Sequence, residues 1–321
     1  MERRRSLQRP GRSRNPTKPS PETPEDQLGL SPAELSLLQA CELGDIQRVT
    51  AVLKENANIN VDCVDLMGRT PLQITVERED KDLMEVLLPL SSKRNVEFTL
   101  LDAINDKKES IACAILRHPV YASPEFQGGG QKGFAETTSV LTKFHPDTTP
   151  LILAAQRNLY ELVKVLVMSG DRIERPHPYL CNCHACIVMA DQDQLRYAQR
   201  RLNAYKGLSS ESYLALANED PLLEAFKLGR EMKQIAKVEK HFKTDYAMIA
   251  EALSEFVVKL LDRVRDNQEL EMVLNKVDYA KGRTDEFEPA ARIKMAVINK
   301  EKKFWFAVHK VYLTNRGNLG P

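Results

Sequence analysis

Asp65-Leu66-Met67-Gly68-Arg69-Thr70-Pro71-Leu72 is the stretch that decides the fold. Gly68 suits a tight turn, and Thr70-Pro71 suits a helix cap followed by the first helical residue. A short apolar helix follows through Leu72, Thr75 and Val76. Glu79-Asp80-Lys81 makes a polar turn, and a second helix ends at Leu87-Leu88. The unit is two short helices joined by a turn.

The unit recurs. Upstream, Leu37, Ala40, Asp45 and Leu53 occupy the same places; downstream, Leu100, Ala103, Lys108 and Leu116 do so. A fourth copy reads Thr149-Pro150-Leu151, Ala154-Ala155, Asn158 and Leu162 through Leu166. The first three copies are spaced by about 28 to 35 residues, as expected of repeats of roughly 33. A small residue at the centre of each first helix lets paired helices approach closely. These features predict four ankyrin-type repeats over residues 31–170, with an insertion at about 120–144. That insertion carries Gly128-Gly129-Gly130, but no Gly-Lys-Ser/Thr follows it and no strand precedes it, so it reads as a loop rather than a phosphate cradle.

Residues 1–30 are rich in Arg, Pro and Ser and predict a disordered tail, with Ser6 behind three arginines as a candidate phosphorylation switch. After the last repeat stands Arg175-Pro176-His177-Pro178-Tyr179-Leu180-Cys181-Asn182-Cys183-His184-Ala185-Cys186. His177, Cys181, Cys183 and Cys186 place four soft donors within ten residues, the number a closed structural zinc site takes. His184 is the rival imidazole, but it adjoins Cys183, and adjacent side chains rarely converge on one ion. Free thiols and a redox sensor are the alternatives. Cys41, Cys63 and Cys113 stand alone and read as buried fillers.

Residues 171–282 are expected to hold this cluster and the linker helices it staples, and from Asp191 the pattern stays helical. Leu195, Ala198, Leu202 and Tyr205 mark one helix, and Asp220-Pro221 opens another. Ile235, Val238, Phe242, Tyr246, Ile249, Leu253, Phe256, Leu260 and Val264 then form one long apolar stripe, with Lys237, Glu239, Lys240 and Lys243 on its wet face. The stripe predicts either packing within the stack or a self-association surface. The fold class is all-α.

The chain of 321 residues holds 46 Lys+Arg against 45 Asp+Glu, a net charge of +1. That balance argues against nucleic-acid binding by bulk charge. The most apolar run, Leu162 to Met168, is short and carries Lys164, so no membrane span is expected. No secretory signal precedes the repeats, and six cysteines then imply a reducing compartment. No catalytic constellation is legible, and a four-donor metal site leaves no open position for chemistry, so the chain is not expected to be an enzyme.

In this order, the repeats, cluster and helices resemble the cytosolic N-terminal region of a TRPC-type transient receptor potential channel subunit. The resemblance runs from about Leu35 to Asp278. It is carried by Asp65-Leu66-Met67-Gly68-Arg69-Thr70, Thr149-Pro150-Leu151-Ile152-Leu153-Ala154-Ala155, Arg175-Pro176-His177 with Cys181-Asn182-Cys183, Arg201-Leu202-Asn203-Ala204-Tyr205-Lys206, Glu219-Asp220-Pro221, Lys237-Val238-Glu239 with Phe242-Lys243, and Glu269-Leu270-Glu271. It implies a tetrameric, calcium-permeable, poorly selective cation channel, with this region on the cytoplasmic side of the plasma membrane. It also implies zinc on His177, Cys181, Cys183 and Cys186, and contacts between subunits through repeats and linker helices. Residues 283–321 are expected to form a divergent tail, because the likeness fades beyond Lys303-Phe304, and the pore is not encoded in this chain. A stand-alone soluble ankyrin module that binds protein partners, such as a truncated isoform that caps channel subunits, is the competing expectation.

Overall fold

The computed structural model describes residues 29–121, 143–145, 147–275 and 291–317, without the side chains of 291 and 314–317. The expectations for the tail at 1–28, for Ser6, and for Gly128-Gly129-Gly130 with most of the insertion lie outside the described residues. Every element among those described is a helix, so the chain is all-α.

Helices come in pairs because the caps are local. Helix α1 (Pro32–Leu43) starts at Ser31, whose hydroxyl accepts from the Glu34 amide while Glu34 accepts from the Ser31 amide. Helix α3 (Pro71–Glu77) starts with the same reciprocal box between Thr70 and Gln73. Ser92 caps α5 (Lys93–Asn105), and Thr149 caps α7 (Pro150–Gln156). Their partners are α2 (Ile46–Glu55), α4 (Lys81–Leu87), α6 (Glu109–Arg117) and α8 (Tyr160–Met168).

The turn inside each pair is the same. Gly44, Glu79, Lys107 and Asn158 all adopt left-handed backbone, with φ of 75°, 59°, 59° and 56°. The following amide then reaches back to the small residue of the first helix: Asp45 to Ala40, Asp80 to Thr75, Lys108 to Ala103 and Leu159 to Ala154, at 2.9–3.0 Å. Only the first copy uses glycine, so the turn is imposed by these bonds. Gly44→Ala is expected to destabilise the chain by about 1–2 kcal/mol, because an L side chain is strained there. Its Cβ would also meet Arg78 Nη2 at 2.8 Å. Lys107→Gly removes the same strain but loosens the unfolded chain, so its urea midpoint should move by less than about 0.5 kcal/mol equivalent.

The pairs stack through their first helices, α1 on α3, α3 on α5 and α5 on α7, and through α2 on α4 and α6 on α8. Polar bridges fix the stacking: Gln73 Nε2 donates to Asp102 at 2.8 Å, and Lys108 Nζ reaches the Glu77 carbonyl at 2.5 Å. Asp65 organises the quoted turn. It accepts from the Met67 and Arg69 amides at 2.9 and 2.8 Å and from the Arg69 guanidinium at 2.8 Å, while Arg69 also pairs with Glu77 and Glu42. Burial pushes the Asp65 carboxyl up, but the bonds from Arg69 and Met67 outweigh it and hold it below the ordinary carboxylate range. A depressed folded value means this stabilisation is present at neutral pH and is lost on acidification through and below about pH 4. Asp65→Asn should therefore flatten the acid limb of a urea midpoint-against-pH curve.

The stack continues past the point where sequence signals stop. Helices α9 (His184–Gln192), α10 (Gln194–Leu208) and α11 (Glu211–Ala217) follow, and the α10–α11 pair packs α10 on α7 and α11 on α8. Gly207 allows that approach, since a Cβ there would lie 2.8 Å from Ile173 Cδ1. The Ser212 amide donates to Asn158, and the Ile173 amide to Tyr213 Oη. One apolar core therefore runs from Leu37 to Tyr213.

A second core begins on the other face of α10, at Leu202 and Tyr205. It is built by α12 (Pro221–Val238), α13 (Lys243–Leu261), α14 (Asn267–Leu274), α15 (Ala291–Ile298) and α16 (Lys302–Gly317). Asp220 caps α12, accepting from the Leu223 amide at 2.9 Å. The long stripe expected from Ile235 to Val264 is not one helix: it breaks at residues 239–242, and α12 and α13 pack along each other. Glu239, placed on the wet face by periodicity, is buried there against Arg201. Residues 291–313 of the segment expected as a divergent tail enter this core through Ala296, Phe304, Ala307 and Val311, with Phe304 edge-on to Phe226 at 5.3 Å.

Candidate metal centre

The chain enters the site pinned. Arg175 donates to Glu224 and Glu231 of α12 at 2.8 and 2.7 Å, and Pro176 and Pro178 restrict the backbone on either side of His177. A turn closed by the Cys181 amide on the Pro178 carbonyl, 2.9 Å, brings Cys181 back toward the histidine. Cys183 is the N-cap of α9, and Cys186 lies in its first turn.

The four side chains converge. His177 Nδ1 lies 3.5 Å from Cys181 Sγ, 3.3 Å from Cys183 Sγ and 3.4 Å from Cys186 Sγ, and all four donor atoms lie within 4.8 Å of one another. A ring nitrogen has a single lone pair and can accept one S–H bond. Three sulfurs around it are therefore not explained by hydrogen bonding. They are explained by a common centre: donors at about 2.0 Å for nitrogen and 2.3 Å for sulfur leave tetrahedral N···S edges of about 3.5 Å. The residues fit a thiophilic ion in a closed four-donor set. His184 opens α9 and is not part of the group.

The electrostatics favour a thiolate at Cys183. The Cys183 thiol is pulled down to about 6 by the Cys186 amide and then by the Cys186 and Cys181 thiols. The Tyr197 hydroxyl pulls Cys186 down, but burial and the neighbouring sulfurs together raise it above the ordinary thiol value. Cys41 and Cys63, by contrast, are buried in the array, and burial pushes them up to about 12 and about 11. They are protonated fillers. All six cysteines are free of disulfides.

Sequence reasoning missed the surroundings. Tyr197 Oη stands 3.1 Å from Cys186 Sγ, and the Arg201 guanidinium lies against the Tyr179 and Tyr197 rings. Arg201-Leu202-Asn203 was legible as part of a motif, but nothing in its spacing gave Arg201 a task.

The family model described as Transient receptor ion channel II matches residues 181–243, from Cys181 across α9 to the first residue of α13. Short transient receptor potential channel 3 of Homo sapiens is 38% identical over 291 residues, covering 86% of this chain and 31% of the relative. Short transient receptor potential channel 4 of Mus musculus is 37% identical over 281 residues, covering 86% of this chain and 28% of the relative. The chain thus spans under a third of the length of these curated relatives. They are ion channels rather than enzymes. Among the described residues no helix is long and apolar enough to cross a membrane.

Proposed function

The chain is a relative of the short transient receptor potential (TRPC-type) channel subunits, and from that premise we propose that it is the cytoplasmic assembly and regulatory region of a calcium-permeable, non-selective cation channel subunit. The observation that carries this reading is the 38% identity sustained over 86% of the chain, which takes in the repeats, the cysteine cluster and the helices beyond it. Conduction belongs to sequence outside this chain.

In this reading the stacked pairs α1–α8 are four ankyrin-type repeats over residues 31–170, and their shared turn and small central residues support that assignment. The ion is zinc, held by His177, Cys181, Cys183 and Cys186. Bound zinc supplies no reaction: with four protein donors it cross-links the loop after the repeats to the start of α9. Residues 171–275 carry the cluster and the zinc-stapled linker helices, and α15 and α16, in the segment expected as a tail, complete their core. The partners are other channel subunits, at the cytoplasmic face of the plasma membrane. The groove of about 470 Å³ lined by Asp62, Arg69, Asn95, Phe98, Asp102 and Lys108 is the surface offered to protein partners.

One observation favours a second reading, a stand-alone binding module. Phe304, Ala307 and Val311 close the second core from within this chain. Fractionation separates the two, using an antibody raised against residues 65–90. A membrane-bound band much larger than 36.4 kDa is expected for the channel reading. A soluble band near 36.4 kDa alone assigns the chain to protein binding without conduction.

A further inference from the structure

Helix α10 carries one arginine that the metal centre and the helical bundle share. Arg201 is 5% exposed, and Glu239, its carboxylate partner at the α12–α13 turn, is 4% exposed. Their contact is loose, with Nη1 and Oε2 3.4 Å apart, and Arg201 Nε is buried without a hydrogen-bond partner. Desolvating two charges offsets most of their attraction, so such a pair does not hold a guanidinium in place by itself. Two aromatic faces do the rest. Arg201 Cζ lies 4.9 Å from the Tyr179 ring centroid and 4.8 Å from that of Tyr197, within cation–π range of both.

Both rings belong to the metal centre. Tyr179 sits in the turn between His177 and Cys181, and the Tyr197 hydroxyl stands 3.1 Å from Cys186 Sγ. At the other end, Glu239 lies where the apolar stripe continues but the helix does not. Its amide closes α12 on the Ile235 carbonyl at 2.8 Å, and its side chain turns inward to Arg201. The aromatic pair, the guanidinium and the carboxylate thus form one line from the metal ligands to the α12–α13 turn.

We propose that Arg201 is a positioning residue that couples the metal centre to this turn. With the ion bound, Tyr179 and Tyr197 are fixed as a clamp that presents the guanidinium to Glu239. Without it, the loop carrying Tyr179 is released, Glu239 loses its counter-ion, and the turn opens. The proposal rests on the zinc reading above and adds a consequence for the helices that no ligand touches.

The test is hydrogen exchange on the full 321-residue chain, with one equivalent of zinc and after chelation, with metal content measured in parallel. Zinc should slow the amides of residues 239–246 by about tenfold and leave those of α1–α4 unchanged. Arg201→Lys keeps the charge but loses the flat face that stacks between the rings. It should still take one zinc, while the zinc-dependent protection of 239–246 falls below about threefold. A purely structural arginine would instead raise exchange in both states and keep their ratio, which overturns the coupling. Tyr197→Phe keeps the ring on Arg201 and removes only the hydroxyl on Cys186, so zinc should pass to a competing chelator about tenfold faster in an intact fold. Unchanged release removes Tyr197 from the line. If the chain takes up no zinc, the zinc reading and the proposal fall together. If it takes up zinc and residues 239–246 ignore it, the proposal alone falls.

Discussion

Cys181→Ser is expected to weaken zinc binding by more than about 100-fold, since losing a ligand costs more than losing an outer-shell partner. A serine hydroxyl at neutral pH is neither charged nor soft, so His177, Cys183 and Cys186 would hold the ion with an open fourth position. Because metal binding at such a site is folding free energy, the thermal midpoint should fall as well. The loss should be a few kcal/mol rather than the about 10–16 seen in isolated zinc peptides, because two apolar cores here fold around the site. Chelated wild-type chain should melt where the variant melts. Equal metal content and unchanged melting in the variant would remove the site.

Leu100→Ala is expected to cost about 3–4 kcal/mol in a urea titration. Leu100 is fully buried in α5, which packs against α3, α6 and α7 at once, so the cavity has walls on every side that cannot collapse independently. Leu66→Ala in the same array, at a side chain 65% exposed, should stay within about 0.5 kcal/mol. The stacked pairs share one core, so the loss should shift a single transition rather than split it. A change under about 1 kcal/mol at Leu100 would mean that the middle of the array is not packed as described.

What could be read in the sequence was what is local. Thr70-Pro71, Thr149-Pro150 and Asp220-Pro221 mark helix starts because a cap and its proline act within four residues. The metal donors were legible for the same reason: His177 and three cysteines fall within ten residues, and that spacing alone restricts what they can do. The tertiary features were not. The α10–α11 pair extends the stack without a Thr-Pro-Leu signature and follows the interruption by the cluster, so no repeat arithmetic reaches it. Periodicity runs unbroken through Glu239 because it records apolar spacing. It carries no information about an arginine 38 residues away that draws this carboxylate inside. The polar turn at Glu79-Asp80-Lys81 was legible, but the left-handed backbone at Glu79 and Lys107 was not, since no glycine marks it and it is set by the amides of Asp80 and Lys108 reaching Thr75 and Ala103.

The most direct test of the central claim is X-ray absorption at the zinc edge on the purified chain, with metal stoichiometry from the same sample. The account predicts one zinc per chain, with three sulfurs at about 2.3 Å and one nitrogen at about 2.0 Å. A first shell dominated by oxygen and nitrogen, or a metal-free chain whose Cys181, Cys183 and Cys186 all alkylate freely, would contradict it.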